Sequence, residues 1–179
     1  IFESGRSRTV GARLQGFDSA RWMVIPRTLI FLVNGGDLLL MKRGAQRRVF
    51  PNRYNGLGGH VERDETIEAA ALREIREESG ILPEQVRDLR LRGISHVASD
   101  AAGGILVFIF TGEALTRSVQ AGAEGTLHWI PMQQVYDLPL VDDLLLLLPR
   151  LFGAAACASL IYMHVSYDAD DRMQIRFGE

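Results

Sequence analysis

Residues 59–81 read GHVERDETIEAAALREIREESGI. Ala, Leu, Glu and Arg favour helices, and glycine commonly follows a helix end, so the stretch predicts a helix over 66–79 that ends before Gly80. Residues 44–58 are rich in Gly, Asn and Pro and predict a loop in front of it. Gly58 and Gly59 allow a backbone to approach a ligand closely. A glycine loop that leads into an acidic helix therefore indicates a binding site.

Three carboxylates share one narrow face of the predicted helix. At about 100° per residue, Glu77 lies about 300° and Glu78 about 40° from Glu74. These anions repel one another at such spacings, and the negative end of the helix dipole disfavours them further. A hard divalent cation such as Mg²⁺ would reverse these penalties. The alternative is a solvated face on which Arg73 pairs with Glu77.

The rest of the chain predicts mixed strands with two helices packed on them. Two apolar runs around Asn34-Gly35-Gly36-Asp37 predict a β-hairpin, and a second pair surrounds Asp168-Ala169-Asp170-Asp171. The predicted strands are 27–33, 38–43, 89–97, 105–112, one that ends at 129–130, 161–167 and 173–177, and the second helix is 142–152.

Composition is that of a globular domain, with 179 residues, 47% hydrophobic residues and a net charge of −2. This charge gives no overall attraction to nucleic acid or anionic membranes. Cys157 is the only cysteine, so no intramolecular disulfide can form, and we interpret it as a small buried hydrophobe. No run approaches the roughly 20 apolar residues of a membrane span. We expect a cytoplasmic protein with a flexible arm (residues 1–21) and one domain (residues 22–179).

Residues 59–81 match a longer motif at each of its fixed positions: Gly, five residues, Glu, seven residues, then Arg-Glu-apolar-any-Glu-Glu-any-Gly-apolar. On this motif the chain resembles the Nudix hydrolases, and a looser resemblance extends over 27–177. The resemblance implies an α/β fold, an α/β/α sandwich of mixed β-sheet with a loop–helix–loop motif.

The resemblance also implies a metal site and its supports. The ion would be Mg²⁺, with Mn²⁺ as an alternative, held by Glu74, Glu77, Glu78 and the carbonyl of Gly58. Arg73 would orient these acids and count with them as catalytic, and Glu65 and Glu62 would support that network.

Within the superfamily, four segments resemble MutT-like oxidised-purine nucleoside triphosphatases. They are Tyr54-Asn55-Gly56-Leu57-Gly58-Gly59, Leu40-Met41-Lys42-Arg43-Gly44, Glu124 before His128-Trp129-Ile130, and Val141-Asp142-Asp143. The likeness implies that Glu124 assists the metals and that the Asp pair reads a purine. The expected substrate-binding residues are Thr28, Lys42, Asn55, Asp142 and Asp143.

Some features of these segments have two interpretations. Leu140 stands where those relatives have an aromatic residue before the Asp pair. On the strand after the motif (residues 59–81, the Nudix box), the position of an expected aromatic wall is taken by Val97 or His96. Residues 45–51 look like an inserted loop. Asp142 either reads the base or caps the second helix. A basic patch either steers a triphosphate or covers a loop surface; its members are Lys42, Arg43, Arg47, Arg48 and Arg53. We interpret the four histidines as surface or strand residues.

The predicted activity is that of a Mg²⁺-dependent nucleoside triphosphate pyrophosphohydrolase, which releases a nucleoside monophosphate and pyrophosphate. Oxidised purine nucleotides such as 8-oxo-dGTP are candidate substrates. Glu77, Glu78 or Glu124 would take the proton of the attacking water. We expect a nucleotide as the only partner of a monomer or homodimer, without nucleic acid or membrane.

Two alternatives stay open at this point. One is a pyrophosphatase for ADP-ribose or a sugar nucleotide, which is disfavoured because no proline occurs between Pro83 and Pro131. The other is a non-catalytic nucleotide-binding regulatory module, which is disfavoured because every acidic position of the motif over residues 59–81 still holds an acid. No long basic stripe supports a role in RNA decapping.

Overall fold

The computed structural model describes residues 16, 18, 20–99, 103–120, 122, 124–153, 156 and 159–178. Cys157 and most of the predicted N-terminal arm lie outside these ranges, so both interpretations stay predictions, as do the domain limits. No helix in the described ranges is long and apolar enough to cross a bilayer. The elements are β1 (Met23–Asn34), β2 (Asp37–Arg43), β3 (Tyr54–Asn55), α1 (Ile67–Ser79), β4 (Val86–Val97), β5 (Gly103–Ala114), β6 (Gly125–Pro131), α2 (Leu144–Phe152), β7 (Ile161–Tyr167) and β8 (Met173–Phe177).

The strands form one mixed sheet in the order β3-β2-β1-β5-β4-β7-β8, with β6 also paired to β2. Strands β1 and β5 run parallel, as do β4 and β7, whereas β4 and β5 are antiparallel. The register places Val107 of β5 between Arg27 of β1 and Ser95 of β4. Residues far apart in the chain therefore meet on one face of the sheet.

Alternation along the strands sorts the core into two layers. Ile30 and Leu32 of β1 face a cluster that contains Ala71 and Ile75 of α1. Phe31, between them in the chain, faces the other cluster, which holds the buried leucines of α2. Each fully buried large apolar side chain contributes about 1.5–3 kcal/mol to stability. The sheet is thus covered by a helix on each face, which confirms the predicted α/β/α sandwich.

Most predicted elements are present, and the errors lie mainly at their boundaries. Both hairpins and α1 are confirmed, but β1, β4 and β5 are longer than expected. The predicted loop over 44–58 contains the short strand β3, which pairs with Met41 and Lys42 of β2. That pairing joins segments distant from any local turn signal, so the sequence pattern did not show it. The second helix begins at Leu144 rather than at 142.

Candidate active site

The glycine loop before α1 is bonded to the side of β1. The amide of Thr28 donates to the carbonyl of Gly59 (2.8 Å), and Ile30 and Leu57 exchange two backbone hydrogen bonds (2.7 and 3.0 Å). Gly58 has a φ of 138°, a conformation that side chains disfavour, and a Cβ there would meet the backbone of Thr28. A Cβ on Gly59 would occupy the position of the Glu74 carboxylate. Only glycine permits this close approach.

Helix α1 ends at Ser79 as predicted and begins at Ile67, one residue later than predicted. The hydroxyl of Thr66 accepts a hydrogen bond from the amide of Ala69, and Gly80 follows the helix in the left-handed conformation. The helix packs through Ala71 and Ile75, which turns the acidic edge of its last two turns toward the glycine loop.

Glu78 is the most buried of the helix acids, with 6% of its surface exposed. Its Oε2 accepts a hydrogen bond from the amide of Gly58 at 2.8 Å. Burial raises the pKa of Glu78 to about 8, and repulsion from Glu74 and Glu124 adds to the effect. Burial also raises the pKa of Glu74. The fold therefore concentrates acids where they are hard to ionise together.

Arg73 is the centre of the network around these acids. Its guanidinium donates to Glu65 (2.7 Å), Glu74 (2.9 Å) and Glu77 (3.1 Å), and to the carbonyl of His60 (2.9 Å). The hydrogen bond from Arg73 lowers the pKa of Glu65, and the Glu65 carboxylate raises the pKa of Arg73. This geometry fits the orienting role predicted for Arg73 and the supporting role of Glu65.

Glu62 supports the network through its backbone only. Its amide donates to Oε1 of Glu65 at 2.8 Å, while its side chain lines the adjacent cavity. The role predicted for the Glu62 side chain stays a prediction.

A cavity of about 660 Å³ extends from these acids across the face of the sheet. At one end it is lined by the glycine loop and four carboxylates, and at the other by strands β4, β5 and β7. The acidic end comprises Gly58, Gly59, Arg73, Glu74, Glu77, Glu78 and Glu124, and the apolar end comprises Val97, Ile105, Val107, Ile109 and Met163. The cavity therefore offers one end to charged groups and the other to a flat or apolar group.

On strand β4, which follows the motif, the cavity wall is formed by Val97 and not by His96. Val97 lines the cavity, whereas the ring of His96 packs against Trp22 (4.9 Å between centroids) and His164 (5.2 Å). Alternation along β4 sends neighbouring side chains to opposite faces, so only one of the two candidates can reach the cavity. Ser95, two residues before Val97, lines it as well, and sequence reasoning missed it.

Three of the five predicted substrate-binding residues line the cavity, namely Thr28, Asn55 and Asp143. The hydroxyl of Thr28 already accepts a long hydrogen bond from the amide of Gly59 (3.4 Å), and Oδ1 of Asn55 accepts one from Gly56 (2.9 Å). Both side chains thus shape the site locally, and their role toward substrate stays a prediction.

The other two lie outside the cavity lining. Asp142 accepts a hydrogen bond from Arg53 at 2.7 Å, and the Lys42 ammonium lies 6.0 Å from the centre of the Tyr54 ring. Asp142 does not cap α2 either, because Asp143 occupies the cap position and its side chain makes no capping bond. The capping interpretation of Asp142 is therefore wrong, its role toward the base stays a prediction, and Asp143 lines the cavity.

Some members of the basic patch line the cavity and others do not. Arg43 and Arg47 line the cavity, and Arg47 pairs with Glu124 at 2.9 Å, whereas Arg53 is tied to Asp142. Arg27 lines the cavity from β1 and carried no local sequence signal. Only the register between β1 and β5 brings it there.

The acidic end fits a divalent ion by the chemistry of its donors. The carboxylates repel one another, and their oxygens are the donors that Mg²⁺ prefers. The glycine backbone beside them leaves room for the Glu74 carboxylate. Within the part of the chain that the structure describes, no three acids or histidines are placed so that they could share an ion directly. Instead Arg73 holds Glu74 and Glu77, and Arg47 holds Glu124, so arginines supply the neutralising charge in this arrangement.

Comparison with known proteins agrees with the fold and the motif. The NUDIX domain family matches residues 23–151. The solved structure of a MutT protein from Bacillus halodurans superposes with a TM-score of 0.64 at 22% identity, over 86% of this chain and 97% of that one. A NUDIX hydrolase from Nitrosomonas europaea gives a TM-score of 0.65 at 14% identity, over 82% and 81% of the two chains. The chain belongs to the Nudix family.

Relatives with named activities are similar over shorter stretches. The oxidized purine nucleoside triphosphate hydrolase of Mus musculus is 30% identical over 112 residues, which cover 60% of this chain and 67% of that protein. The NAD-capped RNA hydrolase NudC of Pseudomonas aeruginosa is 35% identical over 82 residues, 40% of this chain and 29% of that protein. The chain thus matches less than a third of the length of that second relative.

Proposed function

We propose that this Nudix hydrolase cleaves purine nucleoside triphosphates, including oxidised ones such as 8-oxo-dGTP, to the nucleoside monophosphate and pyrophosphate. The observation that carries the proposal is the two-ended cavity, in which carboxylates and arginines stand opposite an apolar floor with buried polar atoms. The first end suits a triphosphate with a divalent ion, and the second suits a base. The likeness to the mouse oxidized purine nucleoside triphosphate hydrolase supports this choice.

The acidic end would hold the ion and carry out the proton transfer. Glu74, Glu77, Glu78 and Glu124, with the carbonyl of Gly58, are the candidate ligands. When bound, Mg²⁺ or Mn²⁺ neutralises phosphate charge and makes the phosphorus more electrophilic. One glutamate takes a proton from water as the oxygen attacks phosphorus, and the anhydride bond between the α- and β-phosphates breaks to give the nucleoside monophosphate and pyrophosphate. Burial raises the pKa of Glu78 to about 8, and a bound cation would favour its ionised form.

The arginines would bind and orient the phosphates. Arg43 and Arg47 line the cavity on the side of Glu124, where a triphosphate would compete with Glu124 for Arg47. Arg73 would keep the helix acids in place, because one guanidinium bonds three carboxylates. These residues supply the positive charge that the net charge of −2 does not.

A second candidate is a dinucleotide-type substrate, for which the relative that hydrolyses NAD-capped RNA is the specific reason. The same acids would act on a pyrophosphate bond between two nucleosides. That relative matches over less of this chain than the mouse triphosphatase does, which favours the triphosphate. The predicted monomer or homodimer state and the predicted cytoplasmic location both stay predictions.

The test is a substrate panel with Mg²⁺, scored by the products formed. The panel contains 8-oxo-dGTP, dGTP, dATP, dCTP, ADP-ribose and an NAD-capped RNA. We expect the purine triphosphates to have the highest kcat/KM and to release pyrophosphate. A preference for ADP-ribose or the capped RNA would replace the proposal by the second candidate.

Variants of the helix acids test the assignment of the site. Glu77→Gln and Glu78→Gln should each lower kcat by about 10²–10⁴, the size of a missing acid–base or electrostatic contribution. The matched control is Glu68→Gln, because Glu68 lies in the first turn of the same helix and does not line the cavity. Rates close to wild type in the first two variants would refute the assignment.

A further inference from the structure

Ser95 belongs to a row of four side chains that crosses the sheet at the apolar end of the cavity. It lies directly opposite Val107 of β5 and Met163 of β7, and Val107 lies opposite Arg27 of β1. Directly paired residues project to the same face of a sheet, so the four side chains form one row. All four line the cavity.

Two members of this row carry buried polar atoms without a partner. Ser95 is 2% exposed, and its Oγ has no hydrogen bond within the described ranges. Nε of Arg27 is also buried and has no hydrogen bond there, although Arg27 as a whole is only partly buried. A buried group left without a hydrogen bond costs about 1–3 kcal/mol, and native structures contain few of them. Both atoms belong to residues that line the cavity, so a bound molecule can supply the missing partners.

The row places these two residues on either side of an apolar surface. Neighbouring strands are about 4.8 Å apart, so the backbones of Arg27 and Ser95 are separated by about 9–10 Å with Val107 between them. A flat ring that lies on Val107 therefore has a polar group beyond each of two edges. A third buried atom without a partner, Oδ1 of Asp143, comes from the start of α2 and lines the same cavity.

The chemistry of these groups restricts the ring. Arginine can only donate, serine can donate or accept, and the carboxyl group of Asp143 can accept from N–H groups. Guanine and hypoxanthine have acceptors, the keto oxygen and N7, on one edge and N–H groups on another; 8-oxoguanine keeps the keto oxygen on the first edge but carries a proton on N7. Adenine has an amino donor in place of the keto oxygen, and this donor would face the Arg27 donor. The three groups together favour the 6-oxopurine.

We infer that Arg27 and Ser95 are specificity-determining residues that bind a 6-oxopurine base from two edges, Arg27 at the acceptor edge and Ser95 at the N–H edge. The inference rests on the proposed function, because that function assigns the base to this end of the cavity. It adds two residues that have no counterpart among the substrate-binding residues predicted from the sequence. Ser95 provides a hydrogen bond on the strand where an aromatic wall was expected.

The test measures nucleoside binding by calorimetry without metal or phosphate, so that it does not depend on hydrolysis. Guanosine, inosine, adenosine and cytidine are compared in wild type, Ser95→Ala and Arg27→Met. We expect Ser95→Ala to weaken guanosine and inosine binding by roughly 5- to 10-fold, the value of one hydrogen bond, and to change adenosine binding by less than about 2-fold. Arg27→Met should show the same selectivity. Ser99→Ala is the control, since the Ser99 hydroxyl bonds the carbonyl of Gly103 (2.8 Å) and does not line the cavity.

A second readout separates a role in binding from a structural role. Removal of a hydroxyl without a partner should leave the melting temperature of free Ser95→Ala equal to that of wild type or above it. Ser79→Ala provides the contrast, because the buried Ser79 hydroxyl donates to Ile75 (2.6 Å) and its loss should lower the melting temperature.

The possible outcomes divide cleanly between the two ideas. Equal losses for all nucleosides, a melting temperature several degrees lower in Ser95→Ala, or a wild type that binds no nucleoside would each overturn the inference. Selective loss of 6-oxopurines in a protein that hydrolyses no triphosphate would support the inference and refute the proposed function. If the protein hydrolyses triphosphates and Ser95→Ala leaves its order of preference among the bases unchanged, the proposed function is supported and the inference is refuted.

Discussion

Replacement of Asp143 by asparagine should stabilise the protein at neutral pH while it weakens function. Oδ1 of Asp143 is buried without a hydrogen-bond partner in the described part of the chain. Burial raises the pKa of this carboxyl, although the backbone amides of Asp143 and Leu144 favour its ionised form. The fold therefore disfavours the ionised form of Asp143. An amide of nearly the same shape cannot ionise.

The expected gain follows from two opposing contributions. A buried charge without a partner costs more than the roughly 1–3 kcal/mol of a neutral polar group, and asparagine, which keeps a polar atom at this position, removes only that excess. A carboxylate at the start of α2 gains about 0.3–1 kcal/mol from the helix dipole, which asparagine would lose. The net increase in the free energy of unfolding is about 1–2 kcal/mol. For a protein of this length that corresponds to roughly 2–8 °C in melting temperature.

The assay is thermal melting of wild type and Asp143→Asn between pH 3 and pH 8. Since the folded protein holds the Asp143 proton more tightly than the unfolded chain, wild-type stability should fall as pH rises above the ordinary pKa of 3.8, until the raised pKa is passed. The advantage of the variant should therefore disappear near pH 3 and be full at neutral pH. Its kcat/KM for purine triphosphates should fall by about 5- to 150-fold, the equivalent of 1–3 kcal/mol.

Asp142→Asn is the matched control, because the neighbouring carboxylate is exposed and paired with Arg53. Its loss should cost no more than about 1 kcal/mol and leave no gain at neutral pH. If Asp143→Asn melts below wild type at pH 7, or if its advantage is the same at pH 3, the burial argument is refuted.

Three further outcomes can be measured. Millimolar Mg²⁺ should raise the melting temperature of wild type by mass action but not that of Glu78→Gln, and an equal rise in both would argue against this acid as a ligand. Arg73→Lys should lower kcat by about 10-fold or more, because an ammonium cannot bond three carboxylates in the fixed geometry of a guanidinium, and an unchanged kcat would contradict the orienting role. Gly58→Ala should lose about 2 kcal/mol or more in urea unfolding, since its Cβ would meet the backbone of Thr28; Gly36→Ala, also at positive φ but in open space, should lose less, and similar losses would refute the steric reason.

Local chemistry explains why the acidic half of the site could be predicted from the sequence. The spacing of Glu74, Glu77 and Glu78 on a helix of fixed period places them on one face before any tertiary contact forms. The turn residues Gly35 and Gly36 and the final glycine Gly80 act through the same short-range rules. The family motif lies within one continuous segment, so no long-range information was needed to find it.

The base end of the cavity depends on contacts between distant segments. Val97 and His96 were both possible walls, and only the pairing of β4 with β5 and β7 decided which one faces the cavity. In the same way, helix α2 begins at Leu144, which directs Asp143 inward and leaves Asp142 with Arg53. A shift of one residue exchanges the two faces of a strand, so small errors in register change which side chains meet a ligand.

The sequence by itself determined the family motif, the acidic helix and the alternating strands, because each of these follows from spacing within one segment. The tertiary structure decided that Arg27, Ser95 and Asp143 face one cavity and that Lys42 and Asp142 lie outside it. The physical reason is that pairing between strands sets side-chain direction in the sheet, and the start of α2 sets that of Asp142 and Asp143; both are properties of the whole fold.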